Sequence, residues 1–129
     1  MSESSDALRL LAAQLREEGT PIAPHVVDPG AGLAFAHEGD YALVIEAVRE
    51  GYLLHYGEPR LLAGHDEDLA LLAGDYLYAL GIERLARLGD TAAVHVLADL
   101  IGTCAQLHTE GAEDRVPAAW DKAIQALTP

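Results

Sequence analysis

Carboxylates and imidazoles are the side chains in this sequence whose types and spacing could do chemistry. Asp66-Glu67-Asp68 is the densest acidic run, and His65 precedes it. Magnesium takes carboxylate oxygens, so this run with a histidine could serve a small metal-dependent hydrolase. Neighbouring helical residues, however, point about 100° apart, and three in a row cannot face one ion. Acids at the start of a helix already have a role there, opposite the positive end of its dipole. The histidines, His25, His37, His55, His65, His95 and His108, include no pair four residues apart and no His-Glu-x-x-His. Asp75 is a different kind of acid. It falls mid-helix among apolar neighbours and reads as a structural buried acid, bonded to a neighbouring helix or loop. Gly74 beside it suits the close approach of another element. Cys104 lies on an apolar helix face and reads as a small core residue. There is no Gly-rich phosphate loop, no Gly-x-Ser-x-Gly and no assembled triad. No catalytic, cofactor-binding or metal-ligating residue is therefore assigned, and no cofactor is expected.

The totals narrow the classes further. The chain has 129 residues, enough for one core, and half of them are hydrophobic with few aromatics. Such a Leu/Ala-rich composition favours helices. The net charge is −13, from 21 acids against 8 bases. Nucleic acid is excluded as a partner, because its phosphates need a basic surface. A single cysteine forbids an intrachain disulfide. The polar, acidic start is not a signal peptide, and no apolar run has the length of a transmembrane segment. A soluble, cytoplasmic protein is the expectation.

The elements that must position these side chains are helices. Leu8, Leu11, Ala12 and Leu15 make one face of a first helix near 5–18, ended by Gly19. Residues 20–39 are broken by Pro21, Pro24, Pro29, Gly30, Gly32 and Gly39 and read as a loop wrapped over the bundle. Asp40 caps a second helix, 40–56, which Gly57-Glu58-Pro59 ends. A third, 66–88, is central: 14 of the 20 residues from Leu69 to Leu88 are apolar. A helix apolar nearly all round is covered on more than one side. Gly89 stops it and Asp90 caps a fourth, 90–109. Pro117 opens a short last helix in which Trp120, Ile124 and Leu127 face inward. The spacing predicts an all-α fold, a bundle of four to five helices in a single domain spanning 1–129.

Leu71-Leu72-Ala73-Gly74-Asp75-Tyr76-Leu77 resembles the Leu-Ala-Gly-Asp-aromatic-Leu segment of trans-polyprenyl diphosphate synthases, the all-helical isoprenoid chain-elongation enzymes. Upstream, Leu53-Leu54-His55 is similar to the Leu-Leu-His that precedes that family's first aspartate-rich motif. The likeness covers about half the chain, from Glu46 to Gly111. The departures concern the chemistry. Tyr56 and Gly57 stand where the paired aspartates belong, and Arg60 where the third does. The second aspartate-rich motif and the basic diphosphate-gripping segment have no counterpart here.

The resemblance thus implies a truncated, catalytically degenerate relative built on part of the isoprenoid synthase fold. It would be a non-catalytic small subunit, not an enzyme by itself, in isoprenoid biosynthesis. Its partner would be a larger catalytic prenyl diphosphate synthase subunit, whose activity or product length it modulates, or a second copy of itself. The alternatives are a self-associating helical interaction module unrelated to isoprenoids and the small metal-dependent hydrolase. The apolar surplus of 69–88 and the second apolar face of 90–109 suggest a subunit interface, as in a dimer, centred on Tyr76, Leu80 and Ile101.

Overall fold

The computed structural model describes residues 3–30, 33–35 and 41–127. Among them the chain forms five α-helices and no β-strand, an all-α bundle as the spacing predicts. These are α1 (Glu3–Glu17), α2 (Ala42–Tyr56), α3 (Glu67–Arg87), α4 (Thr91–Thr109) and α5 (Val116–Leu127). Single 3-10 turns at Ala23–His25 and Glu113–Arg115 punctuate the connections. By its contacts the chain divides into two compact units, Met1–Gly81 and Ile82–Pro129. The division falls within α3. No described helix is long and apolar enough to cross a membrane.

In the first unit, α1 buries Leu8, Leu11, Ala12 and Leu15, the face expected from their spacing. Gly19 beyond its end takes a positive φ of 60°, which its missing Cβ permits. The following segment folds back over the helices. Ile22 is buried, and Val26 pairs with Leu62 in an isolated antiparallel bridge. The Val27 N–H donates to the Leu61 carbonyl at 2.7 Å, and the Ala63 N–H to the His25 carbonyl at 3.0 Å. The Pro/Gly-rich loop is thus tied, near its start, to the segment before α3. The expected Asp40 cap lies outside the described residues.

The most enclosed helix is α2, not α3. Ala42, Val44, Ile45, Ala47, Val48, Gly51 and Leu54 are buried, and so are the two acids Glu46 and Glu50. By contrast α3 leaves Leu71 and Leu72 exposed. Apolar residues all round a helix permit burial on every side but do not impose it. The crossing of α2 and α3 runs through glycines. A Cβ on Gly74 would sit 2.7 Å from the His55 ring, and one on Gly51 would sit 2.9 Å from the Gly74 carbonyl oxygen. A Cβ on Gly81 would meet the Val48 side chain at 2.7 Å. The helix-destabilising glycines are therefore what lets the two backbones approach.

In the second unit, Gly89 at φ 77° ends α3, and Asp90 caps α4 by accepting from the Ala93 N–H at 2.9 Å. That side-chain acceptor satisfies one of the free N–H groups of the first turn. Leu97, Leu100 and Cys104 on α4 and Val116, Trp120, Ala123 and Leu127 on α5 are buried. Cys104 is the core residue expected, while Ile124 is only half-buried. The last helix starts at Val116, so Pro117 sits in its first turn.

Candidate functional site

Two charged constellations lie on α2 of the first unit. The first is closed to solvent. Glu46 and Glu50 are fully buried and Arg60 is 8% exposed. One helical turn separates the two acids, so both face the residue just past Pro59. The Arg60 guanidinium donates to Glu46 Oε1 at 2.6 Å and to Glu50 Oε1 at 2.9 Å. It also donates to the Glu46 carbonyl at 3.2 Å and the Leu33 carbonyl at 3.1 Å. Glu50 Oε2 takes the backbone N–H of Arg60 at 2.8 Å and of Leu61 at 2.9 Å. Glu46 Oε2 takes the Phe35 N–H at 2.9 Å. The Arg49 guanidinium then lies 4.2 Å from the Phe35 ring centroid, a cation–π contact. Burial of three charges is tolerated because each is paired and hydrogen-bonded. Chemically the cluster is a clamp. It fixes the 33–35 and 60–61 segments on α2 and leaves each carboxylate oxygen engaged.

The second constellation opens to solvent. His55 Nε2 stands 3.0 Å from Asp75 Oδ1, joining α2 to α3. The His55 ring stacks on Tyr78 with centroids 5.3 Å apart. Asp75 does bond to a neighbouring helix, but it is not buried: its side chain is 76% exposed. The correction has a geometric reason. Gly74, one residue earlier, faces α2, and a 100° step along α3 carries Asp75 to the rim of the crossing.

The other candidates separate. Asp66 Oδ1 accepts from the Leu69 N–H at 2.8 Å, a cap for α3, and Glu67 and Asp68 are exposed. Among the described residues no group of three or more metal-ligating side chains is gathered. Tyr76 and Leu80 are half-buried against the first unit's own core, and the Tyr76 hydroxyl donates to Glu18. Ile101 is half-buried on α4. The large outward apolar residues of α3 are instead Leu71 and Leu72, 48% and 59% exposed. Sequence reasoning missed the clamp. Its only signal was Glu46 and Glu50 four residues apart on an otherwise apolar helix, with an arginine just past the helix end.

No family model, no curated protein and no solved structure matches this chain.

Proposed function

We propose that this chain is a non-catalytic subunit that pairs with a full-length trans-polyprenyl diphosphate synthase and modulates its activity or product length. The observation that carries the reading is the α2–α3 crossing. The two stretches that resemble the family, Leu53–His55 and Leu71–Leu77, meet there through the His55–Asp75 bond and the close approach of Gly74 to the His55 ring. Both stretches lie on consecutive helices, and their direct contact at this crossing is what supports the reading.

The same region supports a non-catalytic role. The positions aligned with the family's first aspartates hold Tyr56, Gly57 and Arg60. Arg60 is committed to Glu46 and Glu50, and those acids to Arg60 and to backbone N–H groups. No carboxylate oxygen of this cluster is left to bind a cation and, through it, a diphosphate. A buried, fully hydrogen-bonded ion pair of this kind fixes local structure. The test is co-expression with a full-length synthase followed by size exclusion with light scattering. A stable mixed complex is expected. Separate elution of the two chains, at concentrations well above those in a cell, would overturn the reading.

A further inference from the structure

The outer face of α3 in the first unit has a composition that selects a partner. Asp68, Leu71, Leu72, Asp75 and Ala79 fall at i, i+3, i+4, i+7 and i+11, which is one stripe of a helix. All five are exposed, and Leu71 and Leu72 are the large apolar side chains among them. The opposite stripe, with Ala73 and Leu77, is buried in the core, so the exposed leucines are not needed to hold α3 in place. The apolar pair is bracketed by acids: Asp68 before it, Asp75 after it, and Asp66 and Glu67 at the helix start. From Glu67 to Gly81 the helix carries no lysine or arginine.

We infer that this stripe docks a basic amphipathic helix of a partner protein, leucines against leucines, with lysine or arginine flanks reaching Asp68 and Asp75. Charge complementarity excludes the same stripe of a second copy, which would set acid against acid within a chain of net charge −13. An anionic lipid surface is excluded for the same reason. The inference deepens the subunit reading and rests on it for the existence of a protein partner. It moves the contact from Tyr76 and Leu80, which face the core, to Leu71 and Leu72.

The test uses the full chain and a synthetic amphipathic helix of leucine and lysine, with a leucine and glutamate helix of the same pattern as control, read by calorimetry. Wild type should bind the lysine peptide and not the glutamate peptide, and raised salt should weaken binding. The variant Leu71→Ser/Leu72→Ser and the variant Asp68→Lys should each weaken it by about tenfold or more. Both variants change exposed residues, and thermal melts matching wild type verify that they fold. Equal binding by the double serine variant would overturn the inference. So would equal affinity for both peptides, or self-association of wild type that the double serine variant abolishes. The two readings fail separately. Peptide binding at this stripe without synthase pairing removes the subunit reading alone. Synthase pairing that survives Leu71→Ser/Leu72→Ser removes the docking stripe alone.

Discussion

Glu50 holds Arg60 at two points, its Oε2 accepting the backbone N–H at 2.8 Å and its Oε1 the side-chain Nε–H at 2.9 Å. A side chain that fixes both the backbone and the guanidinium of one residue determines where the chain goes after α2. With Glu46 on the other side of the guanidinium, the pair closes the first unit around a buried cation.

Replacing Arg60 with alanine leaves two buried carboxylates facing each other without their cation. Breaking a buried pair by removing one partner costs roughly 3–5 kcal/mol. Urea unfolding of Arg60→Ala should show a loss of that size. The exposed control Glu58→Gln should stay within about 0.5 kcal/mol of wild type. An Arg60→Ala loss below about 1 kcal/mol would mean that the cluster does not anchor the fold.

Two glycines on helices should respond to alanine with opposite signs. Gly74 has the His55 ring 2.7 Å from where a Cβ would stand, whereas Gly102 on α4 has nothing within 4 Å. Gly102→Ala gains helix propensity and should stabilise by up to about 1 kcal/mol. Gly74→Ala must push apart a packed crossing and should destabilise by roughly 1–3 kcal/mol. Thermal melts of both variants give the signs directly, and a stabilising Gly74→Ala would show that the helices are not in close contact there.

Asp75→Asn separates the exposed pair seen here from the buried acid expected from sequence. An ion pair with one partner mostly in water is worth less than about 1 kcal/mol. Denaturant titration of Asp75→Asn should therefore show a small change. A loss of several kcal/mol, in the roughly 3–5 kcal/mol range of a broken buried pair, would place Asp75 in the core.

Helix positions were legible where the chain has a clean period and local punctuation. Leu8, Leu11, Ala12 and Leu15 announce a one-sided helix, and Gly89-Asp90 marks the end of one helix and the cap of the next through groups only a few residues apart. The clamp was not legible, because its partners are non-local. Arg60 lies 14 residues from Glu46 and 10 from Glu50, across a proline, and nothing in the pattern distinguishes paired buried acids from solvated ones. The same limit misplaced Asp75 and made α3 seem the enclosed helix. Leu71 and Leu72 read as core by type, yet whether an element covers them is decided by tertiary arrangement.

The most direct test of the central claim is a prenyl-transfer assay with isopentenyl and allylic diphosphates and magnesium. It compares this chain alone, a full-length synthase alone, and the two together. The chain alone should form no product, and its addition should change the synthase's rate or product length. Product from the purified chain alone, or a mixture indistinguishable from the synthase by itself, would contradict the claim.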